Sequence, residues 1–113
     1  MDKSLVTGST SMLLLRLLEE EDLYGYQMIE RLRARSNDTF TLKAGTLYPL
    51  LHTLETQGRV VCYEKPADGA RIRKYYHLTD AGRALLHEKT AEWETFTNAV
   101  NHVLKGGEAC VVG

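Results

Sequence analysis

The sequence contains no long hydrophobic run and few cysteines. No apolar stretch approaches the roughly 18 residues that a membrane span requires. Acidic residues follow the leucines near the N-terminus and no small-residue cleavage site is present, so we do not expect a signal peptide. The two cysteines, Cys62 and Cys110, lie in unrelated surroundings, as thiols of a reducing compartment do. We therefore expect a cytoplasmic protein without a membrane span.

Motifs typical of enzymes and metal sites are also missing. There is no Gly-x-Ser-x-Gly, no His-Glu-x-x-His and no phosphate-binding loop. Cys62 and His77 could meet across a hairpin, but two ligands do not complete a zinc site. The histidines show no metal-ligand spacing: His52, His77, His87 and His102. The sequence predicts no catalytic residue, no metal and no cofactor.

The chain has almost no net charge, but its positive charge is concentrated in the middle. The 113 residues, enough for one domain, carry a net charge of −1. Residues 43–77 hold six Lys or Arg against three Asp or Glu, a net of +3, whereas residues 1–42 and 78–113 each have a net of −2. Local charge decides which face of a protein meets a polyanion. The alternative is that these charges are scattered by chance.

Apolar residues recur at helical spacing in three segments of the first half. The spacing predicts helices over about residues 10–20 and 24–35, separated by "EEEDLYG". A third helix follows the turn-forming "SNDT" and ends at Gly58, which suits a left-handed C-terminal cap. We expect its buried face to consist of Leu47, Leu50, Leu51 and Leu54.

Pro49 interrupts this third pattern. Proline in a helix interior costs about 3 kcal/mol, but it is tolerated in the first turn. A helix that begins near Gly45 or Thr46 would place Pro49 at that edge. Its start would then carry the Tyr48 phenol, with Lys43 just ahead, a surface suited to phosphates. The alternative is that Tyr48 and Pro49 only cap a core helix.

The second half reads as a hairpin followed by a long helix. "RVVCYEK" and "RIRKYYHL" are rich in β-branched and aromatic residues and flank the turn "PADGA". Thr79 is placed to cap the last helix, with Asp80 in its first turn. We predict a mainly α fold with a two-stranded β-hairpin: a winged helix-turn-helix domain over residues 1–78, a helix over 79–105 and a flexible tail over 106–113.

The third helix and the hairpin together predict a DNA-binding surface. A recognition helix fits the major groove, and cations on a protruding hairpin can follow the backbone or enter the minor groove. The alternative for the cations is a solvated, charged hairpin. The candidate contacts are Lys43, Thr46, Tyr48, Pro49, His52, Arg71, Arg73 and Lys74.

The last helix carries an apolar seam that resembles one side of a coiled coil. Trp93 and Phe96 are too large and apolar to leave exposed, so we expect them to pack against a second copy of the chain. The alternative is packing against the first helix of the same chain. Trp93 could also line a site for flat aromatic ligands, although simple interface packing is the more economical explanation. The predicted dimerisation residues are Leu86, Trp93, Phe96, Val100, Val103 and Leu104.

Four stretches in this order and spacing resemble the PadR family of bacterial transcriptional regulators, specifically its small members. They are "LYGYQMIERL", "LKAGTLYPLLHTLETQGRV", "RIRKYYHLTDAG" and the Trp-bearing last helix. The resemblance implies a winged-helix homodimer, usually a repressor, that dimerises through its last helix and contacts DNA through the recognition helix and wing. In some small members flat aromatic compounds bind between tryptophans at the dimer interface, a role that Trp93 would take here.

We therefore interpret the chain as a transcriptional repressor rather than an enzyme. It would bind double-stranded DNA at a pseudo-palindromic operator as a homodimer, with a small aromatic effector as a further candidate partner. Two alternatives remain: a winged helix used as a protein-interaction module, and a small-molecule-binding protein without DNA binding.

Overall fold

The computed structural model of the protein describes residues 3–106. The predicted tail, including Cys110, therefore lies outside the described residues apart from Gly106. Along the chain the elements are α1 (Lys3–Glu20), β1 (Leu23–Tyr24), α2 (Gly25–Arg35), α3 (Ala44–Thr56), β2 (Val60–Pro66), β3 (Ile72–Leu78) and α4 (Asp80–Leu104).

Two features of this architecture differ from the sequence predictions. α1 begins at Lys3 rather than near residue 10. The segment before α2 forms a two-residue strand, so the sheet has three antiparallel strands in the order β1-β3-β2. Leu23 pairs with Tyr76 and Tyr24 with Tyr75. This strand attaches the hairpin to the start of α2.

One hydrophobic core joins all the helices to the inner face of the sheet. The predicted buried face of α3 is confirmed, with Leu50 partly buried at its edge. Leu86, predicted to belong to the dimer seam, is 2% exposed and packs in this core, so that prediction is wrong: Leu86 has no surface left for a partner. The core consists of Leu14, Leu15, Leu17, Leu18, Leu23, Met28, Leu32, Leu42, Leu47, Leu51, Leu54, Val60, Tyr76, Leu78 and Leu86.

Pro49 lies deeper in its helix than the sequence suggested. Because α3 begins at Ala44, Pro49 is in the second turn, where its ring removes the donor that the Gly45 carbonyl would receive. Gly45 and Pro49 are both exposed, so water can satisfy that carbonyl. The prediction that proline sits in the first turn is therefore wrong, and solvent on this side of α3 explains why it is tolerated.

The predicted caps are confirmed, and one of them links two helices. Gly58 has a φ of +73° just after α3. The Thr79 hydroxyl accepts a hydrogen bond from the Gly82 N–H at 3.0 Å and caps α4. The same hydroxyl lies 2.7 Å from the Gly58 carbonyl oxygen and 2.9 Å from that of Arg59. The start of α4 is thus fastened to the end of α3.

The second half of α4 extends away from the rest of the molecule. The principal extents of the structure are 70 × 28 × 21 Å. From Ala91 to Leu104 every residue is exposed except the half-buried Thr97. Within the described part of the chain, no helix combines the length and apolar character needed to cross a bilayer. We call residues 3–78 the head.

Candidate nucleic-acid interface

The solvent side of α3 carries the side chains that the sequence analysis singled out there. Thr46, Tyr48, Pro49 and His52 are all exposed, opposite the buried leucines of the same helix. Tyr48 is 48% exposed. Lys43 is the exposed N-cap residue, and the first turn of α3 contains no acidic residue. This end of α3 is therefore favourable for an anion, because the N-terminal dipole and a lysine act in the same direction.

Tyr48 does not stand free on this surface. Its ring lies against Gly25, the buried first residue of α2, in the adjoining helix. α2 begins directly after β1, where Gln27 Oε1 accepts the Tyr24 N–H at 3.1 Å. The beginning of α2 is thus held by the sheet on one side and contacts Tyr48 on the other.

The two adjacent cations of the wing point to opposite faces of the hairpin. Lys74 lies on the inner face, with its Nζ 5.7 Å from the ring centroid of the buried Tyr76. Arg73 lies on the outer face, where its guanidinium stacks 4.5 Å above the centroid of Tyr24. Successive residues of a strand alternate in direction, so a single flat surface cannot use both in the same way.

The outer face of the sheet also carries an aromatic cluster that the sequence analysis did not identify. Tyr63 and Tyr75 stack with centroids 5.7 Å apart, and Tyr24 meets Tyr75 edge-on at 5.4 Å. Lys65 Nζ lies 5.5 Å from the Tyr75 ring. Alternation along each strand could have indicated this shared face, but the contribution of Tyr24 depends on β1, which only the fold creates.

Asp22 connects this outer face to the end of α1. It accepts the Tyr63 hydroxyl at 2.8 Å, and His77 Nδ1 lies 2.8 Å from its other oxygen. Partial burial opposes ionisation of Asp22, but the hydrogen bonds from His77 and Tyr63 outweigh it and leave the pKa of this carboxyl below its usual value. Both strands of the wing are therefore tied to the segment after α1 through one carboxylate.

Cys62 lies on the inner face, between the wing and α3. Its thiol donates to Glu55 Oε2 at 2.9 Å, and this hydrogen bond, with partial burial, raises the pKa of Cys62. A thiol with a raised pKa is a poor nucleophile near neutral pH. His77 lies on the opposite face, since Val61 is its partner across the hairpin and Cys62 pairs with Tyr76. Over residues 3–106 no group of three or more His, Cys, Asp or Glu is placed to hold a metal ion.

The tip of the wing is an exposed turn. The Ala67 N–H donates to the Arg71 carbonyl at 2.9 Å, and Gly69 has a φ of +71°. The Arg71 side chain is exposed there. Among the candidate residues, Tyr48 contacts Gly25 and Arg73 contacts Tyr24, so both lie against the start of α2. Lys43 lies at the N-cap of α3 and Arg71 at the tip of the wing.

The exposed part of α4 carries a continuous apolar stripe. Trp93 is 42% exposed and its ring centroid lies 6.0 Å from that of Phe96. Together with Ser9 and Met12 of α1 and Lys89, these two rings line a groove of about 200 Å³. One part of the Trp93 side chain therefore faces α1, and the remaining part is exposed and available to a partner. We call Trp93, Phe96, Val100, Val103 and Leu104 the seam; the last two are 80% and 74% exposed.

Known sequences and structures resemble this chain over most of its length. The Transcriptional regulator PadR-like family matches residues 14–88. A transcriptional regulator of Mycobacterium tuberculosis is 33% identical over 94 residues, which cover 83% of this chain and 80% of that protein.

Two solved structures agree in fold. A transcriptional regulator from Clostridium thermocellum superposes with a TM-score of 0.81 at 28% identity, covering 88% of this chain and 96% of the other. A PadR family transcriptional regulator from Eggerthella lenta gives a TM-score of 0.79 at 34% identity, covering 90% and 87%. The predicted winged helix-turn-helix with a long last helix is confirmed, and these similar proteins are regulators rather than enzymes.

Proposed function

Because the chain belongs to the transcriptional regulator PadR-like family, and so to DNA-binding transcriptional regulators, we propose that it is a cytoplasmic repressor that binds a pseudo-palindromic operator as a homodimer. In this proposal residues 1–78 form the DNA-binding domain, of which the head is the described part. The helix over residues 79–105 joins two copies of the chain. The observation that carries it is that α3 and the wing both contact the start of α2, through Tyr48 and Arg73.

The reading face consists of the exposed residues of α3 and the wing cations. Thr46, Tyr48 and His52 offer hydrogen-bonding groups, and Pro49 offers an apolar surface that suits a thymine methyl. Phosphate contacts would set the position of the head, while contacts from α3 to base edges would set the sequence. The full set is Lys43, Thr46, Tyr48, Pro49, His52, Arg71, Arg73 and Lys74.

Dimerisation is supported by the seam. Five large apolar side chains share the projecting half of α4, and the described part of a single chain leaves each of them at least 37% exposed. A contiguous apolar stripe of this kind marks an interaction site. A second copy related by a two-fold axis would cover it with the same residues and present two heads to two half-sites.

Regulation by a small aromatic effector is supported by the groove beside Trp93. An indole face and the Phe96 ring suit a flat aromatic compound. Such a compound switches DNA binding only if it binds one arrangement of the dimer more tightly than another.

A selection from a pool of duplex DNA with a randomised centre tests the proposal. We expect enrichment of a two-fold symmetric sequence and an affinity for the enriched duplex that falls steeply with salt, because counterions are released from phosphates. Arg83→Ala, which removes an exposed cation on α4, is a control that should leave affinity unchanged. A pool that stays random, with binding indifferent to salt, would contradict DNA reading.

The direction of regulation needs a separate measurement. With the enriched sequence placed across a reporter promoter, a repressor lowers reporter output when it is expressed. Unchanged or increased output would remove the repressor role. Addition of planar aromatic compounds, monitored by Trp93 fluorescence and by DNA affinity in parallel, tests the effector: quenching without any change in affinity would show binding without regulation.

A further inference from the structure

Gly25 lies where α2 begins and is covered by the Tyr48 side chain. A Cβ placed on Gly25 would overlap the Tyr48 hydroxyl, and would lie 2.7 Å from Cζ and 3.1 Å from Cε1 of the same ring. Gly25 is buried, whereas Tyr48 is 48% exposed. The hydroxyl end and one edge of the phenol therefore rest on bare backbone, while about half of the residue is exposed.

The backbone conformation does not explain a glycine at this position. The glycines with positive φ in the described chain are Gly58 and Gly69, and Gly25 has ordinary helical geometry. Glycine in a helix is less stable than alanine by about 1 kcal/mol. The absence of a side chain at Gly25 leaves room beside the backbone, and the Tyr48 ring occupies that room.

This contact fixes where Tyr48 presents its hydroxyl. In a helix the χ1 angle of an aromatic residue is restricted to two of the three staggered positions. A methyl group on residue 25 excludes the observed position of the ring, so Tyr48 would have to turn away from α2. Because Tyr48 is half exposed, solvent is available for that movement, and the head can stay folded while the hydroxyl is displaced.

The same short segment holds the main cation of the wing. Tyr24, the residue before Gly25, carries the Arg73 guanidinium 4.5 Å above its ring. Tyr48 and Arg73 therefore contact adjacent residues, Gly25 and Tyr24, where β1 ends and α2 begins.

We propose that Gly25 is a positioning residue for DNA reading: its missing side chain seats Tyr48 at a fixed place against the start of α2. The proposal rests on the DNA-reading function proposed above. Gly25 itself touches no DNA in this scheme and acts through Tyr48.

A double-mutant cycle tests this directly. The variants are Gly25→Ala, Tyr48→Ala and the two together, and the measurement is anisotropy of the labelled duplex enriched from the randomised pool. We expect each single variant to weaken binding about fivefold or more per head, as for the removal of one hydrogen bond. The double variant should bind as Tyr48→Ala does, because the methyl group has nothing left to displace.

Stability measurements separate positioning from damage to the fold. Gly45→Ala is the matched control, since nothing lies within 4 Å of a Cβ there, and it should leave the melting temperature unchanged or raise it. If Gly25→Ala alone fails to fold, the double variant should recover folding, because removing the ring removes the overlap. A double variant that is also unfolded would overturn the inference.

The outcomes distinguish this inference from the function on which it rests. If Tyr48→Ala weakens binding but Gly25→Ala binds like the unmodified protein, Gly25 has no positioning role. Losses that add in the double variant would also exclude that role, because Gly25 would then act independently of Tyr48. If the pool yields no enriched duplex or Tyr48→Ala has no effect, DNA reading through Tyr48 fails, and the positioning role fails with it.

Discussion

α3 and the second half of α4 both expose aromatic residues, but they differ in how much of the helix the single chain buries. α3 buries one side in the core, and its exposed side mixes hydroxyls, an imidazole, a proline and one phenol. The projecting half of α4 has almost no buried residue, and its exposed aromatic and aliphatic side chains form one stripe. A single chain therefore buries the apolar side of α3 but leaves the apolar stripe of α4 exposed.

The difference shows what each surface requires. A polar surface with a helix N-terminus and nearby cations is stable in water and gains from a polyanion. An apolar stripe on an isolated helix is unfavourable in water and gains from any partner that removes it from solvent. Binding through α3 should therefore depend on salt, and association through α4 should depend on protein concentration.

The largest effect should come from the seam. Trp93→Ala removes the largest side chain of the seam from both copies, which costs about 2 kcal/mol or more per copy and weakens the dimer roughly a thousandfold. Sedimentation equilibrium over a range of concentrations measures this. Asn98→Ala, also exposed on α4 but outside the seam, is the control. If the Trp93→Ala protein still sediments as a tight dimer, Trp93 is not essential for dimerisation.

The reading face should give the next largest effect. The double variant Tyr48→Ala, Arg73→Ala is expected to stay folded and dimeric and to lose DNA affinity by roughly a hundredfold, because single contacts are worth about 1–3 kcal/mol. Anisotropy titrations of the enriched duplex check the affinity, and sedimentation checks the dimer. Unchanged affinity would discard the contact assignment.

A smaller effect is expected at the start of α3. Lys43→Ala should weaken binding to all duplexes by a similar factor and should lower the salt slope by about 0.9 for each phosphate that the lysine no longer neutralises. Titrations at several salt concentrations with the enriched and a scrambled duplex measure both quantities. A weakening confined to the enriched duplex would instead indicate that Lys43 reads a base.

The smallest effect concerns the head alone. Asp22→Asn should lower the free energy of unfolding by about 1 kcal/mol at neutral pH, through weaker hydrogen bonds from Tyr63 and His77. Because the pKa of Asp22 is lower in the folded protein, its contribution is fully present above the usual value of 3.8 and is lost as the pH falls through the folded pKa.

Urea unfolding as a function of pH tests this prediction. The Asp22→Asn protein should lose less stability than the unmodified protein as the pH falls through that range. The difference should not depend on protein concentration, unlike the effect of Trp93→Ala. If both proteins lose the same stability as the pH falls, the Asp22 carboxylate does not stabilise the folded chain.

Much of the fold follows from local patterns, and the errors lie where tertiary contacts decide. The hairpin and the caps at Gly58 and Thr79 are encoded within a few residues. β1 is only two residues long and forms because β3 pairs with it, so no local sequence pattern predicts it. Leu86 fits a heptad as well as it fits the core, and only the position of α1 and the sheet assigns it to the core.

The candidate site shows the same division. The exposure of Thr46 and Tyr48 follows from the spacing of the buried leucines. That Arg73 and Lys74 face opposite ways follows from strand alternation, a signal present in the sequence but left unused. The contact between Tyr48 and Gly25 joins two helices and could not be read from either segment alone.

The hydroxyl of Thr79 gives α4 a mechanical role. It bonds the first turn of α4 to the carbonyls that follow α3, and so couples the direction of α4 to that of α3. α4 has 25 residues and is therefore about 37 Å long. Such a rod is a lever arm: a tilt of about 5° at its far end swings the head by roughly 3 Å, close to the rise of one base pair. A change of that size in the angle at which two such rods cross would thus move each head by about one base pair along the DNA.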